Sequence, residues 1–96
     1  MSLSICIPTF NRSKNLNNLL NSIKLNNFPD NFNIEICISD NASNDDTYKI
    51  VKSYSDFIKI KYVRLNENVT RVQNYLNVVQ LAENEFVWLI GDDDLF

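Results

Sequence analysis

The sequence predicts an α/β fold, half of a doubly wound parallel sheet with helices on both faces. Hydrophobic spacing switches several times between a period of two and a period near 3.6. The helical stretches between strands are long enough for right-handed parallel crossovers. The element order is therefore β-α-β-α-β-α-β, with an expected spatial strand order of 3-2-1-4. Acidic residues gather in loops that follow strands. In such sheets ligands bind beyond the carboxyl ends of strands, where the strand order reverses.

Residues 2–8 (SLSICIP) set Leu3, Ile5 and Ile7 on one face of a first strand and Ser4 and Cys6 on the other. After a polar break, Leu16, Leu19, Leu20 and Ile23 follow helical spacing, with Ser13 as the expected N-cap. Phe28 to Asn31 close that helix. Ile34, Ile36 and Ile38 alternate along a second strand ending at Asp40. A polar loop precedes a helix carrying Tyr48, Ile50, Val51 and Tyr54 on its inner side. In residues 58–65, Ile58, Ile60 and Tyr62 alternate with Lys59, Lys61 and Val63, and the two lysines suggest an edge strand. Thr70 is the expected cap of a third helix, with Val72, Tyr75, Leu76, Val79 and Ala82 facing inward. The continuous run Phe86 to Ile90 reads as a strand buried on both faces.

Composition narrows the chemistry. The 96 residues allow one domain, at a net charge of −3 with 45% hydrophobic residues. The absence of histidine removes Ser-His-Asp and Cys-His catalysis and histidine-based zinc sites. A single glycine, Gly91, cannot build a G-x-G-x-x-G turn or a Walker A loop. The mild acidity argues against nucleic acid as a partner. Cys6 and Cys37, each mid-strand, read as small buried thiols of a cytoplasmic protein. The sixteen asparagines, scattered through helices and loops, suggest coding bias more than structural design. Chemistry, if any, falls to carboxylates and amides.

Six of the twelve acids, Asp40, Asp45, Asp46, Asp92, Asp93 and Asp94, lie in two post-strand loops. Asp45 or Asp46 could serve simply as a cap for the second helix. Three consecutive aspartates repel one another with no structural return, and a hard divalent cation, Mn²⁺ or Mg²⁺, removes that cost. Metal binding is the expected role of Asp92, Asp93 and Asp94.

Three segments carry a family resemblance in the same order. SICIPTFNRSKNLNNLLNSI, ISDNASNDDT and EFVWLIGDDDLF resemble the first strand–loop–helix, the second acidic loop and the DxD-bearing strand of family 2 glycosyltransferases. These are inverting nucleotide-sugar transferases with the GT-A, Rossmann-like fold. The resemblance implies that residues 1–96 are the N-terminal, donor-binding part of a transferase domain, truncated after the DxD-type motif and inactive alone. It implies that Pro8, Thr9, Asn11, Arg12, Asp40, Asp92 and Asp93 bind a nucleoside-diphosphate sugar, UDP-linked, with Asp40 on the base. Asp92, Asp93 and Asp94 would hold the metal. If Gly91 occupies the motif's first acidic position, the ligand shifts to Asp93 or Asp94. In a stretch resembling the family's Asn-x-Gly…Ala-Arg-Asn, Asn68 stands where glycine is usual and Gln73 where arginine is. Arg71 could substitute, although a solvated surface role is the expectation for it.

The general base of an inverting transfer lies downstream in the family, so no catalytic residue is expected in this chain. The implied acceptor is a glycan or lipid-linked sugar, and the implied location the cytoplasm, at the inner face of a bacterial membrane. Ending the chain after the fourth strand leaves Phe86 to Ile90 as an apolar edge inclined to self-association. The alternative reading is a non-catalytic, receiver-like Mg²⁺-binding module, or a decayed remnant without activity.

Overall fold

The computed structural model describes residues 1–26, 28–29 and 31–93. Strands β1 (Ser2–Thr9), β2 (Asn33–Asp40), β3 (Ile60–Arg64) and β4 (Phe86–Leu89) alternate with helices α1 (Ser13–Leu25), α2 (Thr47–Tyr54) and α3 (Arg71–Gln80). Among the described residues the strands form one sheet in the order β3-β2-β1-β4. All three pairings are parallel. The expected element order and strand order are both present.

The sheet alternation sorts two cores. On one face, Ile5, Ile7, Ile36 and Ile38 pack with Leu16, Leu19, Leu20 and Ile23 of α1 and Val51 of α2. These α1 positions are the ones the helical spacing selects. On the other face, Cys6 and Cys37, paired in register, pack against Val78 of α3. Both thiols are free and buried. Helices thus cover both faces, and the second core is much the smaller.

Three expectations about faces change. The inner side of α3 is Asn74 and Val78, joined by Leu81 and Ala82, and not the Val72–Tyr75–Leu76–Val79 arc. Val72 and Leu76 are 67% and 55% exposed. Asn74 can be buried because its Oδ1 accepts from the Ser39 hydroxyl at 2.7 Å and its amide donates to the Ser39 carbonyl at 3.2 Å. Tyr48 of α2 is also half-exposed, its ring tilted against Tyr62 at 5.7 Å. Finally, β4 is not buried on both faces: Phe86 to Leu89 are 42–52% exposed, because β4 lies at the sheet edge while α3 packs over β1 and β2. The apolar edge foreseen for this strand is present.

The sheet also holds a buried charge. Glu35 on β2 is fully buried on the α3 side, where alternation alone placed a polar residue but no cover. Its Oε2 accepts from the Ser4 hydroxyl at 2.6 Å and the Glu83 amide at 2.8 Å. Its Oε1 has no well-aligned hydrogen bond and is satisfied as an ion pair by Lys61 Nζ at 3.1 Å. Lys61 in turn reaches Glu83 at 2.8 Å and the Leu81 carbonyl at 3.1 Å. Burial pushes the Glu35 carboxyl up, but Ser4, the Glu83 amide and Lys61 together outweigh it and hold the group at about 2. This network ties the segment leading into β4 to β1, β2 and β3.

Candidate functional site

The loops at the carboxyl ends of β1 and β2 are joined to each other before they meet anything else. Asn11 sits in the left-handed region (φ 50°), which asparagine tolerates. Its amide donates to Ser43 Oγ at 2.8 Å and its Oδ1 accepts from the Asn44 amide at 2.9 Å. Asp45 Oδ2 accepts from the Ser13 amide at 3.0 Å, and its Oδ1 from the Thr47 amide at 3.1 Å. Burial raises the Asp45 carboxyl, yet these donors bring it below the usual range. Asp45 therefore satisfies amides at the start of both α1 and α2. Ser13, expected as an N-cap, is instead the first residue of α1 and is capped from this second loop.

Asp40 lies behind this junction. It is 1% exposed, its Oδ1 accepting from the Ser43 amide at 3.0 Å and its Oδ2 from the Tyr62 hydroxyl at 2.5 Å. Burial and the adjacent carboxylate push the Tyr62 phenol well above its ordinary value. The next residue, Asn41, acts as a two-pronged clamp. Its Nδ2 donates to the Val69 carbonyl at 3.0 Å and its Oδ1 accepts from the Val69 amide at 2.8 Å. Asn68 Nδ2 returns a bond to the Asn41 carbonyl at 2.6 Å. The clamp fixes the loop that starts α3, whose N-cap, Thr70, accepts from the Gln73 amide at 3.1 Å as expected.

The ends of β1 and β4 meet at an aspartate. Thr9 Oγ1 donates to Asp92 Oδ2 at 2.9 Å, bridging residues 83 apart in sequence. Asp92 Oδ1 and Asp93 Oδ2 both face one nitrogen, Arg12 Nη1, at 3.9 and 3.7 Å. Burial raises the Asp92 carboxyl, Thr9 and Arg12 oppose that, and Asp93 adds to it. The two acids differ in setting: the Asp92 side chain is 10% exposed and that of Asp93 60%.

These groups line an open cleft of about 580 Å³ between the carboxyl ends of β1 and β4 and the start of α3. This is the point at which the strand order reverses. Of the expected site residues, Pro8, Thr9, Arg12, Asp92 and Asp93 line it. Asn11 and Asp40 do not; both are engaged by the loop junction behind it. Asp94 lies outside the described residues. Among the described residues no group of three or more acids, cysteines or histidines converges as a metal cage. The cleft also takes in Asn41, which sequence reasoning passed over, Asn68 and Asn74 of the family-like stretch, and Arg71, which was expected at the solvated surface. The asparagine count, read as bias, hides residues with defined bonding roles, among them Asn11, Asn41, Asn68, Asn74 and, against the Leu3 carbonyl, Asn84.

Comparison with known proteins agrees with this fold. Residues 4–96 match the family model described as Glycosyl transferase family 2. The chain is 43% identical to abequosyltransferase RfbV of Salmonella typhimurium over 98% of its own length and 28% of that protein. It superposes on the crystal structure of Staphylococcus aureus TarS in complex with UDP-GlcNAc with a TM-score of 0.82. The identity there is 31%, over 99% of this chain and 27% of that one. A mannosyltransferase from Pyrobaculum calidifontis, in complex with GDP-Man and Mn²⁺, shares the fold at a TM-score of 0.86 and 21% identity, over 98% of this chain and 28% of that one. The chain thus spans under a third of each of these proteins.

Proposed function

The chain belongs to glycosyl transferase family 2, and on that premise we propose that its cleft is the donor site of an inverting, metal-assisted glycosyltransferase. The donor is a nucleoside-diphosphate sugar, with UDP the nucleotide and a glycan or lipid-linked sugar the acceptor of the whole enzyme. The observation that carries this reading is the Thr9–Asp92 hydrogen bond at 2.9 Å, which joins β1 to the acidic end of β4 inside the cleft. TarS, which binds UDP-GlcNAc and UDP in its crystal structures, supports the choice of UDP. The family assignment leaves the receiver-like alternative without support.

A divalent cation fits the residues present. Asp92 and Asp93 offer hard oxygen donors that already face a single cationic nitrogen, Arg12 Nη1. Asp92 and Asp93, with Asp94 beyond the described residues, would hold Mn²⁺ or Mg²⁺. When bound, the cation supplies Lewis-acid stabilisation of the diphosphate leaving group. The chain's own groups do the rest. Thr9 fixes the rotamer of Asp92 through its hydroxyl. Arg71, which lines the cleft and makes no ion pair among the described residues, would be available to a bound diphosphate. Asp40 shapes the base site by holding the turn at residues 40–43, and Asn41 by fixing the 68–70 loop. Pro8 and Asn11 act through backbone shape. Among the described residues the acids lining the cleft are Asp92 and Asp93, both given to the cation, and the general base is assigned to sequence that the longer relatives add.

Two collateral properties belong to the same reading. We place the protein in the cytoplasm at the inner membrane face; its buried free thiols suit a reducing compartment, and no described helix is long and apolar enough to cross a membrane. The exposed Phe86, Val87 and Leu89 at the β4 edge favour pairing of two copies. Sedimentation should show association that rises with concentration and is suppressed by Val87→Lys; a monomer at all concentrations would contradict it. The donor reading itself is tested by calorimetric titration. UDP should bind with Mn²⁺ and lose most of its affinity in EDTA, whereas equal affinity in both, or no binding in either, excludes a metal-assisted donor site.

A further inference from the structure

Arg12 occupies an unusual position for a ligand-binding arginine. It lines the cleft, yet in the free chain its guanidinium faces the two carboxylates assigned to the cation. The contacts are loose. At 3.7 and 3.9 Å neither reaches hydrogen-bond distance, and the Arg12 side chain is 51% exposed. An ion pair of this kind is weak and readily exchanged. Backbone and side chain are also separable here: the Arg12 carbonyl starts α1 by accepting from the Leu16 amide at 2.9 Å, and the Arg12 side chain itself makes no capping bond to the helix. The head group is therefore free to move without disturbing the fold.

Charge balance gives that freedom a direction. Asp92 and Asp93 carry two negative charges in a partly desolvated corner, and one guanidinium offsets half of them in the free chain. A divalent cation held by the same oxygens would neutralise the pair and repel Arg12. The released guanidinium then lies in the same cleft as an incoming diphosphate, two of whose oxygens arginine's planar fork can bind at once. We propose that Arg12 is an exchange cation: it holds the Asp92–Asp93 site in the free chain and transfers to the donor diphosphate when the carboxylates take up the divalent ion. The proposal rests on the donor-site reading and adds a coupling between cation and nucleotide binding. Each ligand removes part of the obstacle to the other. Arg71, with no ion pair to give up among the described residues, contributes to nucleotide affinity without this coupling.

Arg12→Gln separates the two halves of the exchange. Mn²⁺ alone, measured by the electron paramagnetic resonance signal of the free ion, should bind about two- to fivefold more tightly once the competing guanidinium is gone. UDP at saturating Mn²⁺ should bind about tenfold more weakly, because its charged partner is missing. Arg12→Lys, which keeps a cation on a flexible stem, should retain the Mn²⁺ affinity of the unsubstituted chain and recover part of the UDP affinity. Arg71→Gln should weaken UDP and leave Mn²⁺ binding unchanged. A merely structural Arg12 pair would lower the melting temperature of Arg12→Gln and leave its Mn²⁺ isotherm unaltered. That result, or Mn²⁺ binding that weakens, overturns the exchange while the unsubstituted chain still reports on the donor site. Failure of the unsubstituted chain to bind Mn²⁺ and UDP together overturns both.

Discussion

Glu35→Ala is expected to destabilise the fold by about 3–5 kcal/mol, the cost of removing one partner from a buried ion pair. That is a large share of the roughly 5–14 kcal/mol expected for a domain of this size. The loss has identifiable parts. The Ser4 hydroxyl and the Glu83 amide lose their acceptor, and Lys61 loses the buried half of its pairing. Glu83, whose side chain is 77% exposed, provides the control. Glu83→Ala keeps the backbone amide that bonds Glu35 and should cost under about 1 kcal/mol. Urea unfolding of the two variants gives the comparison, and equal costs would contradict a buried keystone. The same network sets an acid limit. The Glu35 carboxyl falls from its ordinary 4.5 to about 2 on folding, so its contribution is complete above pH 4.5 and is lost as the pH drops toward 2. At about 1.4 kcal/mol per unit, and with the side chain only 1% exposed, about 3 kcal/mol disappears across that window. Glu35→Gln should show a correspondingly flatter pH profile there.

Asp92→Asn is expected to lower UDP affinity in Mn²⁺ by about ten- to a hundredfold, with little effect in EDTA. The substitution is nearly isosteric and can still accept from Thr9 at the bridging position. What it removes is the charge: half of the anionic pair, and the more deeply placed half. A charge-assisted contact is worth about 1.5–3 kcal/mol, which sets the size of the effect. Thr9→Val should act in the same direction but more weakly, since the carboxylate remains and only its orientation is freed. Calorimetry on each variant with and without Mn²⁺ separates loss of charge from loss of fold. Equal weakening of Asp92→Asn in EDTA and in Mn²⁺ would assign Asp92 a purely structural part.

The strands and most of α1 were legible in the sequence because period-two and period-3.6 patterns report faces directly. The point where β1 and β4 meet follows from the expected 3-2-1-4 order, because Thr9 ends β1 and Asp92 lies just beyond the end of β4. Less visible was what covers each face. Alternation places Glu35, Cys37 and Ser39 on one side of β2, but nothing local says that α3 lies over them. Nothing local therefore marks Glu35 as a buried charge, although the lysine pattern of β3 correctly marks an edge and Lys61 is its partner. The face of α3 misled for a related reason. The most apolar arc is the natural choice for burial, whereas Asn74 wins a buried place through two bonds to Ser39 that only tertiary structure supplies. Asn41 is hidden by its neighbour: the acid at position 40 draws the attention, while the amide beside it holds the Val69 loop. Asp40, expected on the base, has its carboxylate engaged by Ser43 and Tyr62 and is not among the residues that line the cleft, a buried setting that no local pattern announces.

The central claim, that a divalent cation and a nucleoside diphosphate share the cleft between β1, β4 and α3, is tested most directly by paramagnetic broadening. Mn²⁺ with UDP should broaden the amide signals of Thr9, Arg12, Asp92, Asp93 and Arg71 first, with Glu83 and Asn84 at the opposite end of the sheet retained. Broadening centred instead on Asp45 and Asp46 or on Asp56, or broadening unchanged when UDP is omitted and Asp92 is replaced by asparagine, would contradict it.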